Sequence, residues 1–179
     1  MLDTINFGAG PAMLPAPVKD RIKDELHDWA NGMSVMEASH RSKDFIELAD
    51  RTTYKLRNLL NIPNDYEILF LPGGARQQFS MLPLNFLNES DTADYIISGF
   101  WSQWAYDDAV KLRRVNIIGN SFDDGYLSTP DVTSVTPNAS YIHYTDNETI
   151  HGVEYKGLPI SCKTPLVADM TSSLMSKPI

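Results

Sequence analysis

Cysteine occurs once, at Cys162, so this chain of 179 residues can form no internal disulfide, which predicts a reducing compartment. Cationic residues are also scarce: 15 Lys and Arg against 23 Asp and Glu leave a net charge of −8. The only adjacent basic pair is Arg113-Arg114, too little to neutralise a phosphate backbone, so nucleic acid is excluded as the main ligand. No apolar run approaches the roughly 18 residues of a membrane span. The residues Met1 to Asn6 lack both a basic region and an apolar run, predicting no secretory leader and a cytoplasmic location. Histidines 27, 40, 143 and 151 show no metal-ligand spacing, so no metal site is expected. A P-loop, a G-x-G-x-x-G turn and a G-x-S-x-G elbow are absent too.

What is present is a regular alternation of elements. Residues 8–17 are rich in Gly, Ala and Pro and read as an irregular arm. Val18, Ile22, Leu26 and Trp29 follow at helical spacing until Asn31-Gly32. Phe45, Ala49, Thr52, Leu56 and Leu59 form a second helical stripe, closed by Asn61-Ile62-Pro63. The period then shortens: Glu67-Ile68-Leu69-Phe70-Leu71, bounded by Asp65 and Pro72-Gly73-Gly74, reads as a buried strand. A helix is expected from Ala75 to Leu87 with a kink at Pro83, and another from Ser102 to Leu112. Strands are expected at Tyr95–Ile97, Val115–Ile118, Tyr141–Tyr144 and Leu166–Ala168. This order predicts an α/β fold with a mostly parallel central sheet flanked by helices. In such sheets ligands collect beyond the carboxyl ends of the strands.

The turns at those ends carry the candidate chemistry, and the residues alone leave each one open. Pro72-Gly73-Gly74-Ala75-Arg76 opens a helix, which suits both an anion on free N–H groups and a plain turn. Trp101 offers a flat face for an aromatic ligand or simple packing bulk. Asp169, ending an apolar strand, suits a helix N-cap or a cationic ligand equally. Thr149 stands in the polar loop Asn147–Gly152, where it bonds a ligand or only backbone. Ser39-His40-Arg41 supplies donors for an acid group, or a solvated turn.

Taken in order, the segments Asn6–Ala12, Ser34–Arg41, Gly73–Arg76, Gly99–Ser102, Asn147–Gly152 and Ala168–Ser173 closely resemble the phosphoserine aminotransferases of the class-V aminotransferase family. The resemblance runs from residue 5 to the last residue. It implies an aspartate-aminotransferase-like (fold-type I) large domain that binds pyridoxal 5′-phosphate (PLP). It implies amino transfer between glutamate and 3-phosphohydroxypyruvate in serine biosynthesis, and in many bacterial members a phosphohydroxythreonine step of pyridoxine synthesis. A homodimer is implied as well. By motif, the backbone of Ala75 and Arg76 would hold the cofactor phosphate, and Trp101 would stack on the ring. Thr149 would bond near the ring hydroxyl, and Asp169 would pair with the ring nitrogen. Ala9, His40 and Arg41 would lie on the substrate side, although relatives often carry Ser where this chain has Gly8 and Ala9.

The resemblance also implies a Schiff-base lysine beyond residue 179, so no catalytic residue is expected here. The chain is then expected to be an amino-terminal half, inactive alone: residues 1–15 an arm, residues 16–179 part of the PLP-binding large domain, and the small domain absent. The competing expectation is a non-catalytic cofactor-binding or interaction module derived from such an enzyme.

Overall fold

The computed structural model describes residues 4–177, so residues 1–3 and 178–179, the outer ends of the expected arm and domain, lie outside the described residues. The chain divides near Phe70 into two units.

The first unit holds the arm and two helices. Helix α1 (Ala16–Glu25) begins with Pro17 in its first turn, where a missing N–H costs nothing. It ends earlier than the periodicity predicts. The Leu26 N–H bonds the Lys23 carbonyl, and Trp29 pairs with Met33 across a tight turn. Asn31 and Gly32 take φ of 56° and 77° in that turn, which disfavours most other side chains at the second position. Helix α2 (Lys43–Leu59) starts at Ser42, whose hydroxyl accepts the Phe45 N–H at 3.3 Å.

The expected strand at Glu67–Leu71 is absent. This segment forms no ladder, and Leu69 and Phe70 are 70% and 61% exposed. An apolar run becomes a strand only when another backbone pairs with it, and none does so here among the described residues.

The second unit contains α3 (Gly74–Phe86), β1 (Ala93–Ile97), α4 (Phe100–Ala109) and β2 (Val115–Asn120). A 3-10 turn (Phe122–Asp124), β3 (Ile142–Thr145), β4 (Asn147–Glu148), β5 (Val153–Glu154) and β6 (Leu166–Asp169) follow. Four strands form a parallel sheet in the order β2-β1-β3-β6, while β4 and β5 make a small antiparallel pair. All five residues of β1 are buried, as both covered faces of a central parallel strand require. Alternation then sorts the core. Ala93, Tyr95 and Ile97 join Phe79, Ala105 and Ala109 of the helices on one face. Ile96 joins Ile142, Tyr144 and Tyr155 on the other. Pro83 is buried inside α3, and its carbonyl accepts the Leu87 N–H that closes the helix.

Candidate active site

The carboxyl ends of β1, β3 and β6 lie side by side in the register of the sheet. His143 pairs with Val167, and Thr145 pairs with Asp169. Side chains two apart share a face, so His143, Thr145, Val167 and Asp169 project to the side carrying Tyr95 and the helices. There a cavity of about 500 Å³ is lined by Ala75, Phe79, His143, Val167, Asp169 and Leu174, among others. Its wall is mostly apolar, with Asp169 and His143 as the titratable groups.

Asp169 is half-buried. Its Oδ1 accepts the Thr171 N–H at 3.0 Å and the Thr171 hydroxyl at 2.5 Å, so it caps a turn rather than a helix. The Oδ2 atom has no protein donor among the described residues. His143 is 1% exposed, stacked at 5.0 Å on Tyr95 and edge-on to Phe79 at 5.9 Å. Its Nδ1 is buried without a partner among the described residues. Burial pushes its pKa down to about 4, with the Asp169 charge opposing only in part. The imidazole is therefore neutral at pH 7 and leaves the Asp169 charge uncompensated.

Two helices point their amino termini toward this side of the sheet. Helix α3 is preceded by Gly73, with φ of 94°; no side chain among the described residues caps it, and its first turn holds no acid. The carboxamide of Gln77 lies where a Cβ at position 73 would stand. Helix α4 is the opposite case. Glu148 is fully buried and accepts the N–H groups of Trp101 at 2.9 Å and Ser102 at 2.8 Å, plus the Ser102 hydroxyl at 2.5 Å.

Of the sequence candidates, Ala75 and Asp169 share the cavity. Thr149, exposed, donates its hydroxyl to Ser172 Oγ at 2.8 Å, in the turns that follow Asp169. Trp101 is half-buried on α4, edge-on to Trp104 at 5.3 Å. The Arg76 side chain turns to α4: its guanidinium lies 3.9 Å above the Trp104 ring and its Nε is 3.4 Å from Asp108 Oδ2. Ala9, His40 and Arg41 belong to the first unit, where all three are exposed.

Sequence reasoning missed His143 and Glu148. The first carries a signal, being the one imidazole in the expected buried strand Tyr141–Tyr144. The second carries none, because a Glu in a polar loop looks solvated until a helix end is placed against it.

Comparison with known proteins adds the family. Residues 4–179 match the family described as aminotransferase class-V. The phosphoserine aminotransferase of Pseudomonas paraeruginosa is 46% identical over 177 residues, covering 97% of this chain and 49% of that protein. A phosphoserine aminotransferase whose crystals record radiation damage at its Schiff base superposes with a TM-score of 0.95 at 41% identity, over 99% of this chain and 50% of that one. The PLP-bound phosphoserine aminotransferase of Trichomonas vaginalis gives 0.91 at 39% identity, over 97% of this chain and 52% of that one. The chain thus spans about half the length of the relatives it matches. By sequence and by fold alike, it belongs to the class-V aminotransferases.

Proposed function

We propose that these residues are the amino-terminal, cofactor-binding part of a PLP-dependent phosphoserine aminotransferase: an arm over residues 1–15, and residues 16–179 as part of the large domain. The observation that supports this best is the shared cavity, where Ala75 on an uncapped helix terminus and Asp169 with a free carboxylate oxygen line one apolar space of about 500 Å³. A phosphorylated heteroaromatic base needs both an anion site and an acid, and the donor set fits it.

In this reading the N–H groups at Ala75 and Arg76 bind the phosphate, aided by the dipole of α3. Asp169 holds a proton on the ring nitrogen, and His143, kept neutral by burial, does not compete as a counter-ion. Trp101 supplies a ring platform and Thr149 a hydroxyl to the ring substituent. Arg76 contributes backbone, since its side chain pairs with Asp108 and Trp104. The bound cofactor supplies an electron sink for the bonds at the substrate amino carbon. His40 and Arg41 bind substrate acid groups, and the resemblance of its motif makes Ala9 a further substrate contact. The substrates are glutamate and 3-phosphohydroxypyruvate, with the phosphohydroxythreonine step of pyridoxine synthesis as a second activity, and the full-length enzyme is a cytoplasmic homodimer. The lining of the cavity contains no lysine among the described residues, so we place the Schiff-base lysine outside them and expect this chain to bind PLP without transaminating.

The test is PLP binding to the 179-residue chain and its Asp169→Asn variant by equilibrium dialysis. Losing a charged, partly buried partner of about 1.5–3 kcal/mol weakens binding roughly 10- to 100-fold. Equal affinities for the two proteins refute the assignment of Asp169.

A further inference from the structure

Glu148 is a buried carboxylate that the reading above leaves without a task. It has no cation beside it among the described residues, and an unpaired charge out of water is expensive. Its compensation comes from the first turn of α4: the N–H groups of Trp101 and Ser102, and the Ser102 hydroxyl. The same hydroxyl accepts the N–H groups of Ser98 and Gly99 at 2.9 and 3.1 Å, so one proton and two lone pairs are all in use. Position 99 must be glycine for this to exist. A Cβ there would stand 2.5 Å from Glu148 Cδ and 2.7 Å from its Oε2.

Two consequences follow from the geometry. The residue that precedes Thr149 grips the backbone of Trp101, so two cofactor-facing positions on different elements share one clasp. In addition, α4's amino terminus already holds an anion, whereas α3's carries neither a cap nor an acid. A phosphate arriving at this side of the sheet then finds one open helix terminus of the two.

Resting on the PLP reading, we propose that Glu148 is a positioning residue: a built-in anion that fixes the Trp101 platform against Thr149 and confines the cofactor phosphate to α3. It touches no ligand and acts through α4.

The experiment compares the 179-residue chain with Glu148→Gln and Glu148→Ala, using Asp94→Asn as control. Asp94 is also fully buried and accepts the Thr136 N–H at 2.8 Å, so its loss is purely structural. Each protein is titrated with PLP, following affinity and the circular dichroism induced in the cofactor, and separately with inorganic phosphate, following amide shifts by NMR. Amide exchange at Trp101 and Ser102 is read without ligand. Glu148→Gln is expected to weaken PLP about tenfold, to lose most of the induced dichroism and to speed both amides about tenfold. In Glu148→Ala, phosphate is expected to shift the Trp101 and Ser102 amides, which it leaves unmoved in the unaltered chain. Asp94→Asn is expected to lower the unfolding midpoint while leaving dichroism and both amides as they were. If Glu148→Gln does not fold, Ser102→Ala, which removes one of the three donors, carries the same comparison with smaller shifts. Unaltered dichroism and amide exchange in a folded Glu148→Gln overturn the proposal. A parent chain that binds no PLP overturns the cofactor reading instead, and the exchange and phosphate arms still decide the role of Glu148.

Discussion

Acid should unfold the second unit through one imidazole before it protonates most carboxylates. His143 is sealed between Tyr95 and Phe79, and its pKa falls from 6.5 to about 4. Because the folded value is the lower one, the unfolded chain takes up a proton first. The stability that rests on neutral His143 is thus complete above pH 6.5, declines as the pH falls, and is fully lost below about pH 4. At 1.36 kcal/mol per pH unit the whole loss is about 3 kcal/mol, of which about 2 kcal/mol has gone by pH 5. Urea unfolding followed by far-ultraviolet dichroism at pH 7 and pH 5 reads this as a midpoint drop of about 1 M for an ordinary m-value. The comparison is His143→Phe, which keeps an aromatic ring on Tyr95 but cannot titrate. Carboxylates such as Asp91 and Asp124, held below the usual range chiefly by hydrogen bonds, act in both proteins and cancel. The midpoint of His143→Phe should therefore fall much less between the two pH values. Superimposable pH dependences for the two proteins would refute the argument, as would an NMR titration of the His143 ring with a midpoint near 6.5.

Gly99→Ala drives a methyl group into the Glu148 side chain, and chemical denaturation should find the unit about 1–3 kcal/mol less stable. Unchanged stability would mean that the Glu148 carboxylate is free to move aside. Tyr95→Phe breaks the buried Tyr95–Tyr141 hydroxyl pair, 2.9 Å apart, and strands the Tyr141 hydroxyl at a cost of about 1–3 kcal/mol. The double variant Tyr95→Phe, Tyr141→Phe should recover most of that loss in the same denaturation experiment, because both partners are then apolar.

Periodicity carried the sheet and its helices because burial and backbone geometry obey the same spacing. Tyr95–Ile97, Val115–Ile118, Tyr141–Tyr144 and Leu166–Ala168 all fall on strands, with boundaries moved by a residue or two. Glu67–Leu71 shows where that logic stops. Its composition suits a strand, but pairing is a property of two segments and only one was in view. The early end of α1 has a local cause, since the turn at Asn31 and Gly32 pairs Trp29 with Met33 and so takes Trp29 out of the helical stripe. At the site, glycines before a helix and an acid after a strand were legible because each constrains its own backbone. Gly99, Ser102 and Glu148 were not, because their meaning lies in contacts across 46 or more residues of chain. The two-residue strands β4 and β5 that carry Glu148 into place are too short for any period to register.

The strand order bears on how a ribosome delivers this fold. Strand β1 sits between β2 and β3, and both neighbours are made after it. One edge closes soon, when Asn120 emerges. The other must wait for His143, the partner of Tyr95, which is 143 − 95 = 48 residues further along the chain. At bacterial or eukaryotic synthesis rates that gap lasts about 2–10 s. For that interval a strand that is apolar except for Asp94 stands in the nascent chain with one side unpaired, the kind of exposed edge that chaperones exist to cover.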